Sequence, residues 1–198
     1  MAITIAGSGI TSANIADGTI VNADVADVAA SKLTGALPAI DGSSLTGVGK
    51  VLQVVQTVKT NGFSFATANA WTDVTGMSVT ITPSSTSSKV LIKYNTNISG
   101  STNTAHAYLA LTDSANNLVV TPTGSGNINC HSHHNLNDGR DLDNVTFEYL
   151  ISPSTTSAVT YKLRARTQNS HTAYLNYGSF DSNDGNTIST ITAIEVAG

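Results

Sequence analysis

From Val159 to Arg166 the chain alternates without a break: Val159, Tyr161, Leu163 and Ala165 against Thr160, Lys162, Arg164 and Arg166. Successive side chains of an extended strand point to opposite faces, so this run needs one face on a core and one toward water. A helix would scatter the same residues around its circumference. The period recurs upstream. Met77, Val79 and Ile81 alternate with Ser78, Thr80 and Thr82, and Val90, Ile92 and Tyr94 with Leu91, Lys93 and Asn95. Val145, Phe147, Tyr149 and Ile151 line one face of a further run. Pro83-Ser84-Ser85, Asp138-Gly139, Pro153-Ser154 and Asp184-Gly185 lie between the runs as turn signals. Roughly nine or ten strands at this spacing predict an all-β sandwich or jelly roll over residues 50–198. The last run, Thr187–Val196, carries Ile188, Ile194 and Val196 on one face and Ile191 on the other. We expect it to be tied into a sheet.

Residues 1–49 follow a different rule. Ile5, Ile10, Ile15, Ile20 and Val25 recur every five positions, and Ala13-Asn14-Ile15-Ala16-Asp17 is echoed by Ala23-Asp24-Val25-Ala26-Asp27. Five matches neither the helix nor the strand period, and suits stacked or wrapped extended chain that buries its apolar residues against a partner. A short helix over Ala23–Leu33 is the local alternative, given its good helix formers. Pro38, Asp41-Gly42 and Gly47-Val48-Gly49 then read as linker, placing the domain boundary near Lys50. The expected organisation is an extended arm over 1–49 and a β-sandwich head over 50–198.

Composition narrows the partners. Only 11% of the 198 residues are charged, against an ordinary value of about 25%, and Thr, Ser, Asn, Ala and Gly fill the deficit. This suits strands with uncharged polar faces, as in particle-forming assemblies, and not a charge-rich disordered tail. A net charge of −4 gives no electrostatic case for nucleic acid. The single cysteine, Cys130, excludes an intrachain disulfide framework. No run of about 18 apolar residues predicts membrane insertion, and Met1–Ser8 lacks the pattern of a secretory signal. We therefore expect assembly in a cytoplasm.

The stretch Leu33-Thr34-Gly35-Ala36-Leu37-Pro38-Ala39-Ile40-Asp41-Gly42-Ser43-Ser44-Leu45-Thr46-Gly47 resembles the linker of many bacteriophage fibre proteins, and Ile15–Ile20 resembles the repeats that precede it. Val51–Lys59, Trp71–Met77, Ile81–Val90 and Ser152–Arg166 are similar to a domain of environmental phages, those of cyanobacteria in particular. The resemblance covers most of the chain. It implies a virion structural protein, located in the virion, with a C-terminal jelly-roll head like that of tumour necrosis factor and C1q. By analogy with such fibres it implies a homotrimer, held to other virion proteins through residues 1–49. It implies no catalytic residue and no cofactor. The arm is shorter than most fibre shafts, which leaves room for a capsid-mounted fibre or a decoration protein.

Several clusters carry chemistry. Cys130-His131-Ser132-His133-His134 is the densest. On a strand His131 and His133 would share a face, and three copies about an axis would present imidazoles to a transition metal. The plainer reading is a polar loop or strand edge, because the crowding lacks the spaced pairs of zinc sites; no metal site is assigned. Lys162, Arg164 and Arg166 form a basic row, suited to anionic polysaccharide or simply to a solvated face that discourages edge pairing. Asp138, Asp141 and Asp143 around Gly139 lack the order of a calcium loop and read as turn residues. Trp71, Tyr108, Tyr174 and Tyr177 have faces suited to sugars. Of these, Trp71 is expected to pack in the core or half-buried, and Tyr174 and Tyr177 to be exposed.

Enzyme signatures are missing: there is no Gly-x-Ser-x-Gly elbow, no His-Glu-x-x-His and no phosphate loop. The chain has two glutamates, Glu148 and Glu195, whereas a glycosidase needs two placed carboxylates in one groove. The expected function is a trimeric virion fibre, with host surface polysaccharide as a candidate ligand. The alternatives are a capsid decoration protein, a carbohydrate-binding module of a non-viral assembly and a polysaccharide-degrading spike.

Overall fold

The computed structural model describes residues 51–101, 105–126, 128–136, 142–168, 171–178 and 186–198. The five-residue repeat, the linker, the boundary at Lys50, the Asp138-Gly139 and Asp184-Gly185 turns and Asp141 lie outside them. Among the described residues there are ten strands and no helix: β1 (Val51–Lys59), β2 (Phe63–Phe65), β3 (Thr72–Ile81), β4 (Lys89–Gly100), β5 (Ala105–Asp113), β6 (Ser132–Leu136), β7 (Asp143–Ile151), β8 (Val159–Gln168), β9 (Ala173–Leu175) and β10 (Ser189–Val196).

Their pairing is nested. β1 meets β10, β2 meets β9, β3 meets β8, β4 meets β7 and β5 meets β6, all antiparallel. The chain is thus one long hairpin whose tip is the β5–β6 connection. Two further ladders, β10 with β4 and β5 with β8, wind that hairpin into two sheets. One is β1-β10-β4-β7, lengthened by β9 and β2 beside the far end of β4; the other is β3-β8-β5-β6. This is the jelly-roll form of the β-sandwich. The expected all-β head is therefore the observed architecture.

The alternating runs face as their patterns require. Val90, Ile92 and Tyr94 of β4 pack across the interior from Met77, Val79 and Ile81 of β3, Leu109 and Leu111 of β5, and Tyr161, Leu163 and Ala165 of β8, all buried. Burying each large aliphatic side chain contributes about 1.5–3 kcal/mol. β7 is the exception. Val145 is buried, but Tyr149 on the same face is exposed; β7 is an edge strand, paired only with β4 among the described strands. In β3 a bulge between Asp73 and Ser78, with Gly76 at φ 82°, resets the alternation. It lets Val74 and Met77 both point inward while Asp73 stays outward.

β10, between β1 and β4, is tied into its sheet as expected. Its inward face is Ser189, Ile191, Ala193 and Glu195; the more apolar Ile194 and Val196 point outward. They continue an apolar row across the outer face of the sheet. Val54 of β1 pairs with Ile194, Ile194 with Leu91 of β4, and Leu91 with Leu150 of β7. Val54 is 59% and Leu150 46% exposed.

Two polar networks close the wound hairpin. Buried Glu195 accepts hydrogen bonds from Gln53 Nε2 and from the amide and hydroxyl of Ser84, the last two at 2.7 Å. It thereby locks the Pro83-Ser84-Ser85 turn onto the last strand. Buried Asn176 sits at φ 67°, a conformation that Asn tolerates better than most residues. Its amide donates to the carbonyls of Lys59 and Asn61, and its oxygen accepts from Ser189.

Candidate functional site

Beyond Leu109 the free edge of β5 is taken over by the long connection to β6. Val119 donates its amide to Leu111 O at 3.1 Å and His131 donates its amide to Leu109 O at 2.9 Å. Leu118 forms a bridge with Thr112. The connection therefore crosses the outer face of the β3-β8-β5-β6 sheet. Outward-pointing Tyr108, Ala110 and Thr112 are consequently only 6%, 1% and 2% exposed.

Two cavities lie beneath this cover. One, of about 200 Å³, is lined by Trp71, Thr112, Asn116, Asn129, Arg164 and Arg166 among others. The second, of about 300 Å³, is lined by Tyr108, Cys130, His133 and Gln168, and shares Ile128 with the first. A third, of about 380 Å³, lies between the 152–158 connection and Asp113–Val119 and shares Leu118 with the first. Its only carboxylate is Asp113, which is engaged by the amide and side chain of Asn117 at 2.8 and 2.9 Å.

The basic row of β8 enters the first cavity in a graded way. Lys162 Nζ lies 2.7 Å from Asp73 Oδ2 and Arg164 Nε 2.8 Å from Asp73 Oδ1, while a terminal nitrogen of Arg164 donates to Trp71 O at 3.0 Å. The Lys162 hydrogen bond, together with the Arg164 contact and both positive charges, holds the Asp73 carboxyl below its usual range despite partial desolvation. Arg166 is placed differently. Its guanidinium lies 5.9 Å from the Trp71 ring and 5.6 Å from the Tyr108 ring, and one terminal nitrogen donates to Asn69 Oδ1 at 2.9 Å. Its Nε and the Thr112 hydroxyl are buried without a hydrogen-bond partner. The solvated-row alternative thus holds for neither arginine, since both are half-buried.

Tyr108 continues the surface. Its hydroxyl donates to Gln168 Oε1 at 2.7 Å and its ring stacks on His133 at 4.5 Å. His133 Nε2 lies 3.0 Å from His106 Nδ1. Burial, then the neighbouring His106 and His134, push the His133 pKa down, so near neutral pH the ring is uncharged and available for stacking. Burial raises the Cys130 thiol pKa, with Arg166 pulling the other way.

The histidine cluster follows the plainer reading, a polar loop and strand edge, and His131 and His133 do not share a strand face. β6 begins at Ser132, leaving His131 in the connection. There it stacks on Phe147 at 4.3 Å, accepts the Leu111 amide at Nδ1 and donates from Nε2 to Val120 O. With both ring nitrogens engaged by backbone, His131 has no lone pair to give a metal. Among the described residues no three His, Cys, Asp or Glu side chains converge on a metal position.

The aromatic expectations hold in part. Trp71 is half-buried, as expected, and lines the cavity beside Arg166 just before β3. Tyr174 and Tyr177 are half-buried and pack edge to face at 5.1 Å. Asp143 opens β7, and its calcium-loop companions fall outside the described residues. Glu148 lies on the outer face of the other sheet, 4.0 Å from Lys93, while Glu195 is buried; the two glutamates share no groove. Sequence reading singled out Trp71, Tyr108 and the basic row separately. It missed Asn69, Asn116, Asn129 and Thr112, which carry no pattern of their own.

No protein-family model matches the chain, and no curated protein matches it. Among solved structures it is similar to that of infectious bursal disease virus Gx strain, at 14% identity and a TM-score of 0.38, over 73% of this chain and 41% of that one. For the Gt strain the figures are 13%, 0.39, 73% and 42%. For the VP2 subviral particle of the same virus they are 13%, 0.36, 74% and 38%. The chain spans about two fifths of the length of the chains it matches.

Proposed function

We propose that this chain is a virion structural protein of the bacteriophage-fibre type, a homotrimer whose jelly-roll head binds host surface glycans. Residues 1–49 are its anchoring arm, holding it to other virion proteins. The observation that carries this reading is the nested jelly roll formed by the segments that resemble the phage domain, in a chain whose sequence places the fibre-like linker Leu33–Gly47 before them. In sequence order, a repeat, a linker and then a β-head is the arrangement expected of a projecting module. The cleft supplies the glycan surface: Trp71 and His133 offer ring surface beside polar Asn69, Asn129 and Arg166, with buried Tyr108 backing His133.

The apolar row Val54, Ile194, Leu91 and Leu150 is the surface we assign to contact between copies. Lys93 and Glu148 lie beside it as a cross-strand ion pair at 4.0 Å.

A capsid decoration protein is the second reading. It is favoured by the same exposed row, which would equally suit a head lying flat on a shell. Imaging of intact particles carrying a label on this chain separates the two, since head and tail sites differ in position. A chain lacking residues 1–49 should fold and fail to join the particle. Incorporation of the truncated chain would overturn the anchoring role.

A further inference from the structure

Among the cations of the cleft, Arg166 is the one that Asp73 does not neutralise. Lys162 and Arg164 both bind that carboxylate, whereas Arg166 reaches only the neutral Asn69 oxygen and has no carboxylate partner among the described residues. Trp71 and Tyr108 keep its guanidinium in place from two sides. Its Nε–H is buried without an acceptor, and the unpartnered Thr112 hydroxyl lines the same 200 Å³ cavity. A buried donor left unmade is costly, and a charged one more so. The cavity lining thus holds a cation with no carboxylate beside it among the described residues, and an anionic ligand would balance the charge.

We propose that this cavity takes the carboxylate of an acidic sugar, a uronic-acid unit of a surface polysaccharide, resting on the reading that the head binds glycans. A carboxylate is planar and matches the terminal nitrogens of the guanidinium. The side chains of Asn116 and Asn129 serve the neighbouring hydroxyls. The neighbouring 300 Å³ cavity, which shares Ile128 in its lining, takes the next sugar beside His133. Together the two cavities fall within the roughly 300–1,000 Å³ usual for ligand sites.

The test uses the full-length chain and three probes: oligogalacturonate, a sulfated galactan oligosaccharide and a neutral galactan oligosaccharide. The expected result is binding of oligogalacturonate, weakened at least tenfold by Arg166→Gln and by Arg166→Lys, and weakening with added salt. Asn129→Trp, which fills the cavity from the exposed connection without touching the core, should abolish it, with thermal melting reporting that each variant is folded. Equal binding of neutral and acidic probes, or binding unchanged in folded Arg166→Gln, overturns the proposal while leaving the glycan reading standing. Preference for the sulfated probe overturns the carboxylate assignment. Failure of all three probes overturns the proposal and removes support for the glycan reading on which it rests.

Discussion

The side-chain oxygen of Asn176 accepts a 2.6 Å hydrogen bond from the Ser189 hydroxyl, which in turn lies 2.7 Å from the Thr96 hydroxyl. This buried chain of polar groups joins the stretch after β9 to the starts of β10 and to the middle of β4. Asn176 also holds the carbonyls that follow β1, at Lys59 and Asn61. One residue thus fastens the inner turns of the nested hairpin.

Asn176→Ala should accordingly be severe. It removes three side-chain hydrogen bonds, strands two backbone carbonyls and places a Cβ-bearing residue without local polar help at φ 67°. Lost buried hydrogen bonds cost about 1 kcal/mol each and unsatisfied partners about 1–3 kcal/mol. We expect a loss of about 3 kcal/mol in urea denaturation, with the native strand content retained by circular dichroism in the absence of urea.

Glu195 predicts an acid transition. Burial alone would raise its pKa, but hydrogen bonds from Gln53 and Ser84 outweigh this and bring it down to about 2. Because the folded value lies below the unfolded one, the stabilisation is complete above about pH 4.5 and is lost as pH falls from there to about 2. Glu195→Gln should be less stable than the parent chain at pH 7. The difference should shrink toward pH 2 in parallel denaturation curves.

The outer apolar row gives a test of assembly separable from folding. Val54→Glu and Leu91→Glu alter positions outside the core. Each should change head stability by less than about 1 kcal/mol while shifting the mass measured by light scattering from oligomer to monomer. A parent chain that is already monomeric would remove the assigned contact.

Gly62 and Tyr177 should show strong coupling. A Cβ on Gly62 would sit 2.5 Å from Cδ1 of Tyr177, far inside contact distance. Gly62→Ala alone should cost about 1–3 kcal/mol through overpacking. In a Tyr177→Ala background the same change should cost much less, and a double-mutant cycle on unfolding free energies measures the difference.

The alternation of β3, β4 and β8 was legible because a strand's two faces follow from residue order alone. The turn at Pro83-Ser84-Ser85 was legible for a similar reason, since turn chemistry is local. The lost alternation at Val74–Met77 was hidden, because a bulge depends on the register of the partner strand β8. The choice between strand and loop for the two histidines stood open on the same ground. Whether His131 continues β6 is settled by its hydrogen bonds to Leu111 and Val120, not by its spacing from His133.

The cleft was legible only in pieces. Aromatic and basic side chains announced themselves by type, while the residues that complete the cavity, Thr112 and Asn129 among them, look like any others of this polar chain.

By itself, then, the sequence determined that residues from Val51 onward form an all-β head, because a period of two admits no other regular backbone. The tertiary structure decided which strand meets which, since Thr57 and Ile191 become partners only through winding that no local pattern records. It also decided that the outward face of β5 is covered and that Arg166 has no carboxylate partner among the described residues. Both follow from where a distant connection crosses the sheet, and burial imposed by distant chain leaves no periodicity in the strand it covers.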